Sequence, residues 1–438
     1  MGALRAGAAA AVSLAACSCS GAYAPTLAPP TAAPTSAPTA ASPAARAVIS
    51  VTAVRPRIPL RAAPIAPAAP TGPSDPTTQP TEPPASTAPE PIAPPTSAAP
   101  AGRAFTIVVA GDLLAHTSVI DQARSYAADG GYDFSPMLRK VQPIVAAADV
   151  AICHLETPVA PPGAPPDGSY PDYGVPAEIT AAIASAGFDR CSLASNHAMD
   201  KGAAGVGATL DAFDAAGLGH AGMARTPAEA GPTLFTVGDT TVAHLSYTFS
   251  FNGRRLPKDQ PWRSNLIDPA RIVAEARQAR QDGARFVVVS LHWGSEGSNT
   301  VTSSQRRWAE EITASGAVDV IVGHHAHVVQ PIEQVNGRWV VFGLGNFLTG
   351  MGRSSPCCGV RGQDGMMVRL RVTEQPDGTF AVATPEAIAT YVDRTGYVVL
   401  PVQLGLADPA SAGGAGAGAL TDSLGRTGAV VGSFLVPS

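Results

Sequence analysis

The octapeptide Val320-Ile-Val-Gly-His-His-Ala-His327 constrains this chain more than any other stretch. Its β-branched apolar run reads as a buried strand. Gly323 ends that run, and three imidazoles then arrive within four residues. Only nine histidines occur in the whole sequence, so a third of them sit in this one turn. A neutral imidazole is the commonest nitrogen ligand for Zn, Fe, Mn and similar ions. The bland alternative is a solvated His-rich turn, and the rest of the sequence decides between them.

Four further apolar runs end in the same way. Phe105-Thr-Ile-Val-Val-Ala110 leads to Gly111-Asp112 and then His116, and Val150-Ala-Ile-Cys-His-Leu155 leads to Glu156. Arg190-Cys-Ser-Leu-Ala194 leads to Ser195-Asn196-His197, and Arg285-Phe-Val-Val-Val-Ser-Leu291 leads to His292-Trp293-Gly294-Ser295-Glu296. Helical stretches are expected at about 135–147, 177–186, 203–216, 269–283 and 305–314, where Asp268-Pro269 supplies an N-cap and a proline at N1. Further short strands follow at 328–333, 339–344 and 366–372, which makes a layered α/β domain. In open α/β sheets, sites form beyond the carboxyl ends of the strands. Side chains far apart in sequence therefore converge at one edge of the fold.

The converging set contains carboxylates, imidazoles and a carboxamide, without thiolates. That mixture suits Mn, Fe or Zn in an N/O site rather than a structural Cys-type zinc site. It also exceeds what one ion needs, whereas two ions about 3.5–4 Å apart bridged by a carboxylate would use it fully. A histidine beside them that is not a ligand is placed to give a leaving group its proton. His-Glu-x-x-His, the metallopeptidase signature, does not occur. The formal charge of −5 gives no support for nucleic-acid binding.

The order Gly-Asp…His, Leu-Glu, Asn-His, His-Trp-Gly-x-Glu, Gly-His-His-x-His-x-x-Gln and Gly-Leu-Gly-Asn-Phe resembles the CapA family of poly-γ-glutamate capsule biosynthesis proteins, within the calcineurin-like metallophosphoesterase superfamily. The resemblance covers about Phe105 to Val399. It implies a four-layer α/β/β/α sandwich of the metallophosphoesterase type, holding two divalent metal ions. It also implies that Asp112, His116, Glu156, Asn196, His292, His325 and His327 are ligands and that His197 is catalytic. The superfamily spaces its first pair Asp-x-His, whereas three residues separate Asp112 from His116 here. His324 follows glycine as the superfamily's first histidine does, while His325 has the right spacing to His327. Either fits as the first ligand of that motif, and His325 is preferred. Glu296 and Asn346 are expected as ligands or as supports beside them. His154, His220 and His244 read as structural.

Outside the domain at 103–402 the composition changes. Residues 1–16 read as a signal peptide ending in Leu14-Ala15-Ala16, and Cys17 resembles the lipidated cysteine of a bacterial lipoprotein. Residues 17–102 are rich in Pro, Ala and Thr and read as an extended, disordered tether. Residues 403–438 are Gly- and Ala-rich and read as a poorly ordered tail. Cys153 and Cys191 are expected as small apolar core residues, and Cys357-Cys358 as either a vicinal disulfide or free thiols. Together these features imply an exported protein held on the outer face of the cell membrane by its lipid. It would act on an envelope polymer or a phosphate ester by metal-assisted hydrolysis or transfer, alongside capsule-synthesis membrane proteins. The alternative is a non-catalytic, metal-containing module that binds an anionic polymer.

Overall fold

The computed structural model describes residues 102–437. The expected signal peptide, Cys17 and the stretch to residue 101 lie outside the described residues.

The chain opens with β1 (Ala104–Leu114), and β2 (Val150–Leu155), β3 (Arg190–Ser192) and β4 (Gly219–Ala221) join it in parallel on one side. Five helices fill the connections: α1 (Thr117–Tyr126), α2 (Ser135–Leu138), α3 (Gln142–Val145), α4 (Glu178–Ser185) and α5 (Gly202–Ala215). A second sheet takes β5 (Thr233–Val237), β6 (Thr240–Thr248), β7 (Phe286–His292), β8 (Val320–His324), β9 (Ile332–Val335) and β10 (Arg338–Val341) in the order β5-β6-β7-β8-β10-β9. Between its strands run α6 (Pro269–Gln281) and α7 (Ser303–Thr313). The chain then returns to the first sheet with β11 (Asn346–Thr349), β12 (Asp364–Glu374), β13 (Phe380–Val382), β14 (Glu386–Asp393) and β15 (Val398–Pro401). It closes with α8 (Val402–Ala407) and α9 (Gly416–Val431).

Strand periodicity sets the layers, because alternate side chains leave opposite faces. Phe105, Ile107 and Val109 of β1 and Val150 and Ile152 of β2 pack against Val242, Phe286, Val288, Val320 and Val322 of the second sheet. Their neighbours Val108, Ala110, Ala151 and Cys153 face α1 to α5. In the second sheet Val287, Val289 and Ile321 face α6 and α7. The result is helix, sheet, sheet, helix, the four-layer sandwich expected from the sequence.

The same parity carries polar side chains into the layer between the sheets as the strands end. His154 continues the 150–152 series, His292 the 286–288 series and His324 the 320–322 series, and all three are buried. Asp112 reaches this layer by a different device. Uninterrupted alternation from Val109 would turn Gly111 inward, but the pairing of β1 with β2 slips between Val109 and Asp112. A bulge of this kind re-aims a side chain. Only glycine fits at 111, because a Cβ there would stand 2.1 Å from the Gly345 carbonyl oxygen.

Three sequence expectations need correction. The helix expected at 135–147 is split into α2 and α3, because Pro143 cannot continue a helix through its interior. The tail expected to be poorly ordered is largely helical. Leu420, Ser423, Thr427 and Val431 recur at helical spacing on α9 and are buried, and Arg426 makes a two-pronged ion pair with Asp364 at 2.6 and 2.8 Å. Finally, Cys153 and Cys191 are not separate core thiols. They face each other in register on β2 and β3, with Cα atoms 4.4 Å apart, and form a disulfide. Cys357 and Cys358, left open by the sequence, also pair.

Candidate metal centre

The centre is built where β1, β2, β7 and β8 end, together with the segment after β3. Glu156 is its hub. The side chain is fully buried, and neither carboxyl oxygen has a hydrogen-bond partner. Its Oε1 lies 3.7 Å from His327 Nε2 and 3.8 Å from His292 Nε2. A carboxyl group stripped of water and left without a hydrogen bond is expensive to bury. Burial accordingly pushes Glu156 well above the usual carboxylate range, with the Asp112 charge adding to the effect and His327 opposing it.

Asp112 behaves in the opposite way. Its Oδ1 lies 3.1 Å from His324 Nδ1, and its Oδ2 lies 3.3 Å from His327 Nδ1 and accepts the His325 backbone N–H at 3.1 Å. Burial would raise this carboxyl, but its hydrogen bonds to His324 and His327 outweigh that and hold it below the usual range. Burial would likewise depress His327, yet Glu156 and Asp112 together lift it to about 10. For His325, burial, reinforced by His327 and only partly opposed by the Asp112 charge, takes the ring to about 3, and its Nδ1 has no hydrogen-bond partner.

Two groups of atoms share Glu156. Asp112, Glu156 and His327 offer ligand atoms that all lie within 4.8 Å of one another, and so do Glu156, His292 and His325. Asn196 belongs with the second group, since its Oδ1 is 2.9 Å from His292 Nε2. Glu296 stands at the exposed margin, grouped with His325 and His327. His324 turns instead to Asp112 and His154, the three offering a further group of ligand atoms within 4.8 Å of one another that does not include Glu156, and its ring stacks on that of His154 with centroids 4.1 Å apart. The turn achieves this division by strain: His325 has φ 88° and His327 φ 55°, in the left-handed region that non-glycine residues seldom occupy.

Other expected residues stand further out. His116 stands at the N-cap of α1, with Nδ1 3.0 Å from the Leu114 carbonyl oxygen and 3.2 Å from the Gly350 backbone nitrogen. Among the described residues it belongs to none of these groups. Asn346 supports His327, with Oδ1 3.0 Å from its Nδ1, while its amide donates to the Gly362 carbonyl at 2.8 Å. His197 also lies outside the groups, and its Nδ1 sits 2.7 Å from Asp200 Oδ2.

Asp200, Tyr173 and Phe249, absent from the expected set, also contribute, as does His154, which reads as structural. Asp200 fixes His197 and takes the Tyr173 N–H at 3.0 Å; its i,i+3 spacing from His197 is a usable signal. His154 touches His292 and shares a strand face with Glu156, a parity visible in the sequence. Tyr173, its ring 4.7 Å from that of His197, and half-exposed Phe249, 4.6 Å from His325, come from loops and left no sequence signal.

The residues fit bound metal ions. A buried carboxylate whose two oxygens accept no hydrogen bond stands between imidazoles of two separate groups, a donor set able to hold metal ions. The donors are hard oxygens and imidazole nitrogens, the chemistry of Mn, Fe or Zn.

The model of the family described as "Bacterial capsule synthesis protein PGA_cap" matches residues 106–351, more than half of the 438-residue chain. The chain is 32% identical over 179 residues to the capsule biosynthesis protein CapA of Bacillus anthracis, covering 40% of this chain and 43% of that one. It is 33% identical over 198 residues to the PGA biosynthesis protein CapA of Bacillus subtilis, covering 44% and 50%. It thus spans about half the length of the curated relatives it matches. Among solved structures it is similar to a calcineurin-like phosphoesterase from Bacillus subtilis, at 14% identity and a TM-score of 0.40, covering 75% of this chain and 97% of that one.

Proposed function

Because the chain belongs to the PGA_cap family of bacterial capsule synthesis proteins, we propose that it acts in the synthesis, export or anchoring of poly-γ-glutamate or a related envelope polymer, by metal-assisted hydrolysis or transfer. The observation that carries this reading is Glu156, fully buried and without a hydrogen bond between two groups of imidazoles. Asp112, Glu156 and His327 would hold one divalent ion, and Glu156, Asn196, His292 and His325 the other. Ions held there would supply an activated water and neutralise charge that builds on the attacked group.

The chain's own side chains supply the rest. The Asp200 carboxylate accepts a proton-bearing Nδ1 from His197, which fixes the ring and presents its other nitrogen for proton transfer to a leaving group. Arg254 holds Asp200 from outside, with Nε 3.4 Å from Oδ1. Tyr173, edge-on to the His197 ring, narrows access and limits water. The N-terminal signal, Cys17 and the Pro-rich stretch support a lipid-anchored protein on the outer face of the membrane, its domain held at tether's length.

Purified protein loaded with Mn²⁺ tests the activity, with an activated phosphodiester and poly-γ-glutamate as separate substrates. The reading expects turnover of at least one and its loss in an Asn196→Ala/His197→Ala variant. Equal turnover in that variant, or polymer binding without turnover that survives His197→Ala, would remove the catalytic reading.

A further inference from the structure

His154 lies near Asp112 and His324 but outside the two ligand sets that share Glu156 and outside the His197–Asp200 pair. It lies on β2 two residues before Glu156, faces the layer between the sheets and is fully buried. Both ring nitrogens have partners. Nε2 is 2.9 Å from His292 Nδ1, and Nδ1 is 2.8 Å from Ser192 Oγ. Ser192 Oγ in turn lies 3.4 Å from the Cys153 carbonyl, and at the other end His292 Nε2 is 2.9 Å from Asn196 Oδ1. Asn196, His292, His154, Ser192 and the Cys153 carbonyl thus form one continuous buried file.

Two imidazole nitrogens at hydrogen-bond distance must hold one proton between them. Two neutral arrangements satisfy the file. In the first, Ser192 donates to His154 Nδ1, His154 Nε2 donates to His292 Nδ1, and His292 Nε2 donates to Asn196 Oδ1. In the second, His292 Nδ1 donates to His154 Nε2, His154 Nδ1 donates to Ser192, and Ser192 donates to the Cys153 carbonyl. Each arrangement holds the same three protons and no net charge. They differ at the end that faces Glu156: His292 Nε2 carries a proton in the first and a free lone pair in the second.

We infer that His154 is a positioning residue that selects the tautomer of His292, and that a switch of this file between its two arrangements makes His292 Nε2 available to a cation. A ligand imidazole usually gives its second N–H to a carboxylate or a backbone carbonyl, and such partners can only accept. An imidazole partner can both accept and donate, so it serves both states. It also adds no third negative charge beside Asp112 and Glu156. This inference rests on the metal-centre reading above.

The test compares wild type with His154→Leu, which removes the acceptor, and His154→Gln, which keeps a polar group near the position of Nε2. Each is titrated with Co²⁺ alone, followed by its visible ligand-field bands and by stoichiometry. The expected result is two ions in wild type and one of them bound about 10–100-fold more weakly in His154→Leu, with most of the loss recovered in His154→Gln. In Zn²⁺-loaded wild type, ¹⁵N spectra of labelled histidines should show protonated Nδ1 on both His292 and His154. Those spectra decide the matter on wild type alone should His154→Leu not fold. Unchanged Co²⁺ affinity in a folded His154→Leu protein, no recovery in His154→Gln, or an unprotonated His292 Nδ1 would overturn the inference and leave the metal centre standing. Absence of Co²⁺ binding in wild type would overturn both.

Discussion

Replacing Glu156 with methionine should stabilise the metal-free protein and abolish its response to metal. The substitution keeps roughly the same volume, and such swaps typically change packing by less than about 1.5 kcal/mol. It removes a fully buried carboxyl group whose two oxygens accept no hydrogen bond. An unsatisfied buried polar group costs about 1–3 kcal/mol, so Glu156→Met in chelator should gain on the order of 1–2 kcal/mol after some packing loss. A change of 1 kcal/mol moves the midpoint by about 2–4 °C in domains of 150–250 residues, so a rise of a few degrees is expected. In wild type, metal at about 100 times its dissociation constant adds about 2.7 kcal/mol. The variant, having lost the shared ligand, should gain little. Thermal melts with chelator and with Mn²⁺ would therefore rank the two proteins in opposite order. A variant that melts below wild type in chelator, or that keeps the full metal-induced rise, would refute the reasoning.

Three further outcomes are expected. Asp200→Asn should leave metal content unchanged and lower kcat by about 10²–10⁴-fold, the usual range for loss of general acid–base help, measured on whichever substrate is turned over. Leu420→Ala on α9 should cost about 2–5 kcal/mol in urea unfolding, because the side chain is fully buried, whereas a disordered tail would show no change. Burial holds both His116 and His220 at about 4, below the ordinary 6.5, so the unfolded chain takes up more protons as pH falls from 6.5 to 4. Stability is fully present above 6.5 and is lost through that window by up to about 3 kcal/mol per group; chelator-treated His220→Leu should show a shallower loss in urea midpoints between pH 7.5 and 4.5.

The site was legible in outline because strand parity and strand ends are local properties. Glu156, His292 and the 324–327 turn could be placed at one edge from their apolar runs alone, and the structure brings them there. The division of labour within the turn was not legible, since it depends on His325 and His327 adopting positive φ, for which their residue type gives no cue. Nor was the inward turn of Asp112, which needs a bulge against β2 and close approach of Gly345. His116 was expected from its resemblance to the superfamily's first ligand motif, and the structure sets it at the head of α1, with Nδ1 3.0 Å from the Leu114 carbonyl oxygen. The order of α9 is masked in the sequence by its Gly- and Ala-rich composition. Its small residues let a helix lie against β12 and β14, a fit that only the partner surface reveals.

The most direct test of the central claim is anomalous diffraction from crystals of the protein grown with Mn²⁺, recorded above and below the metal absorption edge. The account predicts two peaks flanking the Glu156 carboxylate, one beside Asp112 and His327 and the other beside Asn196, His292 and His325. No peak near Glu156, or peaks confined to other parts of the molecule, would contradict it.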